Sequence, residues 1–179
     1  MTRVEVRAYD SDWPQQFAQI HSLIWPAVHH LALSLEHVGS TAVPGLAAKP
    51  VIDACLVVSS RDDIPSIISA LAAIGYRHRG DLGIPDREAF HAPDGLPRHH
   101  LYASHRDSLS CRNQLGLRNL LRADPVLARA YGELKQQLAR QHADDMTRYV
   151  AGKTDFILSA LRRVGLTDEE LTAVRALNS

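Results

Sequence analysis

Apolar and polar positions change period several times along the chain, and each change marks a predicted element. Val4-Glu5-Val6 alternates like a short strand. Ser11-Asp12 then precedes Trp13-Pro14, a polar cap ahead of an early proline, so a helix is expected over residues 13–30, interrupted near Pro26. Residues 33–38 read as a strand that small residues end at Gly39-Ser40-Thr41. Pro44, Gly45 and the stretch Leu46-Ala47-Ala48-Lys49 suit a loop with one short helical turn. Residues 51–58, VIDACLVV, form a nearly continuous apolar, β-branched run of strand length, which predicts a central strand covered on both faces.

Farther on, Ile64, Ile67, Ile68, Leu71 and Ile74 share one helix face, and Gly75 supplies the stop. Residues 76–79, 87–92 and 98–104 are expected as short strands between Gly, Pro and Asp turns. The last third is helical in pattern. Helices are predicted over 107–122, over 124–142 with Asp124-Pro125 as cap and first-turn proline, and over 146–164 with Gly165 after it. Thr167-Asp168-Glu169-Glu170 is a capping box for a short terminal helix. The order implies an α/β (α+β) fold, with a mixed β-sheet core flanked by helices and a helical C-terminal part packed on it or flanking a cleft. Residues 1–165 are read as a single domain and 166–179 as the terminal helix.

Composition narrows the partners. Twenty Lys+Arg balance twenty Asp+Glu, which leaves no cation surplus for a row of phosphates and disfavours non-specific nucleic-acid binding. No apolar run approaches the roughly 20 residues of a membrane helix. The charged, valine-alternating N-terminus lacks a signal-peptide core, so a cytoplasmic location is expected, without a membrane partner. Two cysteines form no disulfide framework; both are read as reduced, with Cys55 buried.

The chemistry concentrates in HVGSTAVPGLAAKPVID, residues 37–53. A Gly-Ser turn after a strand lets N–H groups and a hydroxyl approach an anion, because glycine has no Cβ in the way. It is not a Walker loop, since Leu46 rather than lysine follows the second glycine, and a plain strand-to-loop turn is the competing reading. Asp53 inside an apolar strand needs a partner, whether an ion pair, a hydrogen bond or a metal. His99, His100 and His105 do not make a zinc site, because adjacent strand residues point to opposite faces.

This string resembles the signature of the GrpB family, assigned to the nucleotidyltransferase superfamily. Tyr9-Asp10-Ser11-Asp12-Trp13-Pro14, Gly83-Ile84-Pro85, Phe90, His100-Leu101-Tyr102, residues 117–122 (LRNLLR), Tyr131, Leu134-Lys135, Tyr149, Lys153 and Phe156-Ile157 extend the likeness over most of the chain. The resemblance implies a nucleotidyltransferase-like sheet core. In it Gly39, Ser40, Thr41 and Lys49 would cradle the phosphates of a nucleoside triphosphate, and Asp53 would be the catalytic acid that holds Mg²⁺. Arg118, Lys135 and Lys153 would be anion contacts from the helical part, with solvated helix surface as the alternative. The superfamily's D-x-D pair reads Asp53-Ala54-Cys55 here, and a thiol is a poor ligand for a hard cation. On the later strands only Glu88 and His100 offer themselves in place of a third acid. Three functions follow as expectations: Mg²⁺-dependent nucleotidyl transfer with an incomplete carboxylate set, a non-catalytic accessory module for a nucleotide or other phosphate-bearing ligand, or a protein-interaction domain.

Overall fold

The computed structural model of the chain describes residues 3–177, so the ends of the expected first and last segments lie outside the described residues. Helix α1 is Trp13–Val28, and strand β1, Ser34–Val38, leads into a 3₁₀ turn over Ser40–Ala42. Strand β2 is Ile52–Val58, helix α2 Ile64–Ala73, and strands β3, β4 and β5 are Arg77–His78, Arg87–His91 and His99–His105. Four helices follow: α3 Leu109–Ala123, α4 Pro125–Gln141, α5 Met146–Arg163 and α6 Asp168–Leu177. Among the described residues, no helix is long and apolar enough to cross a membrane.

The sheet runs β1-β2-β5-β4-β3 and is mixed: β1 is antiparallel to β2, β2 is parallel to β5, and β4 is antiparallel to both of its neighbours. Alternation along a strand sorts its residues onto two faces. On β2, Ile52, Ala54, Leu56 and Val58 enter the main core with Trp13, Ile20, Ile24 and Val28 of α1 and Ile67 and Leu71 of α2. Each such side chain contributes about 1.5–3 kcal/mol on full burial. Cys55 and Val57 face the other way and pack with Val38 and Cys111 beneath α3. Both faces are covered, which is why residues 51–58 read as one apolar run. Asp53 shares the α3-side face with Cys55 but lies beyond the apolar patch, near the start of β2.

Three expectations change. Val4-Glu5-Val6 is not a strand; Val4 N–H donates to the Ala143 carbonyl at 2.7 Å, and an isolated bridge pairs Arg7 with Ala48. The segment therefore pads α4 and α5, where Val4 packs with Leu138 and Tyr149. Pro26 does not break α1, which runs through it for two more residues to Val28. The expected helix over 107–122 starts two residues later, where Ser108 accepts from the Cys111 N–H as its cap.

Candidate functional site

The start of β2, the end of β1 and the inner faces of α3, α4 and α5 enclose a cavity of about 300 Å³, at the small end of ligand pockets. Gly39, Ser40 and Thr41 form one wall. The 3₁₀ turn leaves its first N–H groups without intrahelical acceptors, as any helix start does. Gly39 has φ 69° and ψ −170°, a conformation essentially confined to glycine. A Cβ there would sit 3.0 Å from Asp53 Cβ and Cγ and closer still to Oδ2, so the bare backbone is what lets the turn lie against the acid.

Asp53 and His100 stand opposite each other in the parallel β2–β5 register. His100 Nδ1 donates to Asp53 Oδ1 at 2.9 Å. The carboxylate thus takes up the Nδ1–H and orients the imidazole. His99 turns to the opposite face, where its Nδ1 donates to the Pro97 carbonyl at 2.7 Å and its Nε2 accepts the Tyr76 hydroxyl at 2.7 Å. Behind the turn, neutral His37 stacks on Phe17 and lies 3.0 Å from Thr41 Oγ1. Burial, then the charge of Arg122, lowers its pKa to about 4.

The helical side is cationic. Lys135 of α4 is 2% exposed, and its Nζ has no hydrogen-bond partner; it sits 4.6 Å from the centre of the Tyr131 ring. The surface reading of Lys135 is corrected by this burial. Lys153 of α5 lines the same cavity, with its Nζ 4.4 Å from the Tyr149 ring centre, and Lys49 lines it too, with its Nζ 6.0 Å from the same ring and 3.8 Å from Met146 Sδ. Burial and the neighbouring Lys153 push the Lys135 pKa down to about 7, against the upward pull of Asp53. Burial and Lys49 lower Lys153 to about 8.

Arg118 also reaches the cavity, with an 11% exposed side chain, yet it is already committed. Its Nη1 donates to Glu36 Oε2 at 2.7 Å and to the His37 carbonyl at 2.9 Å. Burial acts to raise the Glu36 carboxyl, and the hydrogen bond and charge of Arg118 outweigh it and hold the group below the usual range. Glu88 is elsewhere: it sits opposite Ala103 on the β4–β5 ladder, with its carboxylate 2.5 Å from His78 Nε2. Asn113 and Gln114 line the cavity without a signal in the sequence, and Tyr131 and Tyr149, named above only for the family likeness, line it as well. Gln114 Oε1 is buried and unpartnered.

The depressed lysines make a pH prediction. Their ordinary value is 10.5, so between about pH 7 and that value the unfolded chain binds more protons than the folded one. Stability must then rise with pH through this window, and the full penalty applies below it. The melting temperature of the ligand-free protein is expected to climb from pH ~7 to pH ~9.5, below the ionisation of the tyrosines. A flat or falling profile in circular-dichroism melts would mean that both ammonium groups keep ordinary values.

The sequence profile described as GrpB protein matches residues 3–163 of this chain. The chain belongs to the GrpB family. Its relatives include the UPF0157 protein YqkA of Bacillus subtilis, 31% identical over 158 residues, 88% of this chain and 46% of the relative. The chain thus spans about half the length of that protein. A dephospho-CoA kinase of Mycolicibacterium paratuberculosis is 32% identical over 180 residues, 86% of this chain and 44% of the kinase. Among solved structures, the conserved protein GrpB from Enterococcus faecalis superposes with a TM-score of 0.78 at 30% identity, covering 94% of this chain and 98% of that one. The Cid1 poly(U) polymerase, solved with MgGTP bound, gives 0.54 at 17% identity, with 86% of this chain and 50% of that one covered. That likeness establishes a nucleotidyltransferase-like fold.

The fold implies Mg²⁺, but the GrpB cavity does not fit it. Among the described residues, Asp53 is the only carboxylate on the wall, and His100 already holds one of its oxygens. Cys55, at the second D-x-D position, is 0% exposed in the core patch under α3. Its thiol is pushed well above the ordinary range by its hydrogen bond with Cys111 and by burial. Among the described residues, no group of three or more His, Cys, Asp or Glu side chains converges as a metal site.

Proposed function

We propose that this GrpB protein binds the phosphate groups of a nucleotide or a related phosphate-bearing small molecule in the cavity between Gly39-Ser40-Thr41 and the lysines of α4 and α5. One observation carries the reading: Lys135 buries an ammonium with no acceptor beside it. Such a group costs several kcal/mol to desolvate, and a cavity that retains it is suited to an anion. In this role Ser40 and Thr41 offer N–H and hydroxyl donors, Lys49, Lys135 and Lys153 supply charge, and Asp53 orients His100 on the facing wall. The nucleotidyltransferase-like fold and the MgGTP complex of the Cid1 polymerase support a nucleotide as the ligand class.

With one carboxylate on the wall, binding is better supported than nucleotidyl transfer. The similarity to part of a dephospho-CoA kinase favours a second form of the same reading, an accessory module that serves another enzyme. A protein partner in the cytoplasm belongs to that form.

A thermal-shift screen with ribonucleoside triphosphates, dephospho-CoA and pyrophosphate, each with and without Mg²⁺, tests the proposal. A ligand at 100 times its Kd adds about 2.7 kcal/mol to stability, or roughly 5–11 °C for a chain of this size. No shift with any of these at millimolar concentration would overturn it.

A further inference from the structure

The inventory of charge around the cavity differs from that of a metal-dependent phosphate site. Cations come from three elements: Lys49 precedes β2, Lys135 lies on α4 and Lys153 on α5. Against them, among the described residues, stands the single carboxylate of Asp53. Arg118 adds no net charge, because Glu36 neutralises it. Where the D-x-D pattern would place a second acid, Cys55 points into the core under α3. On the neighbouring strand, His100 occupies the register position beside Asp53 and donates a hydrogen bond to its Oδ1. A divalent cation would find one carboxylate oxygen, Oδ2, beside the occupied Oδ1, and would sit among like charges, which repel it in a poorly solvated cavity.

We infer that the cavity takes its phosphate ligand as the free polyanion, with the ammonium groups of Lys49, Lys135 and Lys153 neutralising charge that Mg²⁺ neutralises in metal-dependent relatives of the fold. The inference rests on the phosphate reading above and adds to it how the ligand's charge is met. Lys135 and Gln114, whose buried Nζ and Oε1 lack hydrogen-bond partners, both line this cavity. An ammonium can be satisfied by phosphate oxygens and an amide oxygen by a bridging hydroxyl or a protonated oxygen, so a direct ligand answers both. Burial lowers the pKa of Lys135 first, Lys153 from α5 lowers it further and Asp53 from β2 opposes them, while the Tyr131 ring on its own helix lies 4.6 Å from Nζ. A polyanion between these lysines reverses the repulsion that now lowers them.

Isothermal titration calorimetry with ATP and with pyrophosphate, in EDTA and in excess Mg²⁺, tests the inference. Both ligands are expected to bind in EDTA at least as tightly as in Mg²⁺, since chelation by the metal removes charge the lysines would use. Lys135→Met should weaken binding in EDTA by about tenfold or more, the loss of one charge-assisted contact. Lys49→Met, at a half-buried position, provides a second variant should the first perturb folding. Asp53→Asn should tighten binding in EDTA, because it removes the one anion that faces the ligand. Binding that appears only with Mg²⁺ and is abolished by Asp53→Asn would overturn the inference and leave the proposed function standing. Absence of binding by both ligands in both buffers would overturn the proposed function, and the inference with it.

Discussion

Lys135→Met raises the melting temperature of the ligand-free protein by roughly 4–8 °C, the equivalent of about 2 kcal/mol for a chain of this size. The side chain is 2% exposed and occupies the apolar face of α4 between Tyr131 and Leu138, so methionine of similar length fills its space. What disappears is an ammonium whose pKa has fallen from 10.5 to about 7 through burial and Lys153. At neutral pH that depression is a stability deficit, since the unfolded chain holds the proton far more readily. The same substitution should flatten the rise in melting temperature between pH ~7 and ~9.5, leaving only the share due to Lys153. Calorimetric scans of both proteins across this range check the pair of effects. A lower melting temperature for the variant would mean that the ammonium is satisfied in solution, which would remove the main support for an anion site. A stabilising substitution that weakens ligand binding is the pattern expected of a functional group kept at the expense of the fold.

The burial of Lys135 was legible in part. Ala128, Tyr131 and Leu138 form a helical stripe into which position 135 falls, and the same holds for Lys153 between Tyr149 and Phe156. The default exposure of lysine hid the signal. The central strand was plain from VIDACLVV, and the cap at Asp124 marks α4 because capping is local chemistry. Arg118 shows where local reading stops: its partners Glu36 and His37 lie 82 and 81 residues away, and only the fold brings them together. Cys55 was read as buried, and it is 0% exposed, but what covers it was not legible. Strand alternation puts it on the face of Asp53, but it does not reveal that α3 closes over that face one residue pair later. Val4-Glu5-Val6 alternates like a strand and yet bonds to Ala143, a contact with no local signature.

Gly39→Ala is expected to destabilise the fold by about 3 kcal/mol, from backbone strain and steric conflict together, and to eliminate phosphate binding. The strain arises because φ 69° with ψ −170° is open to glycine and not to alanine. The conflict arises because the new methyl would meet the Asp53 side chain, with Cβ and Cγ at 3.0 Å. Neither neighbour yields easily. Val38 pairs with Asp53 in the β1–β2 ladder, so the backbone just before the turn is held by the sheet. The Asp53 carboxylate is held by His100 at 2.9 Å, so turning it away breaks the contact that orients the imidazole. Relief must therefore come from the Ser40–Ala42 turn, which moves the donors proposed for the ligand. Two readouts separate the components: a melting temperature lower by roughly 6–12 °C reports the strain, and calorimetric titration with pyrophosphate well below that temperature reports the site. Gly45→Ala is the control, since Gly45 also has a positive φ of 77° but no atom within 4 Å of an added Cβ. It should show the strain cost without the loss of binding. Equal binding by Gly39→Ala and the unmodified protein would separate the Gly-Ser turn from the ligand and leave the lysines as its sole contacts.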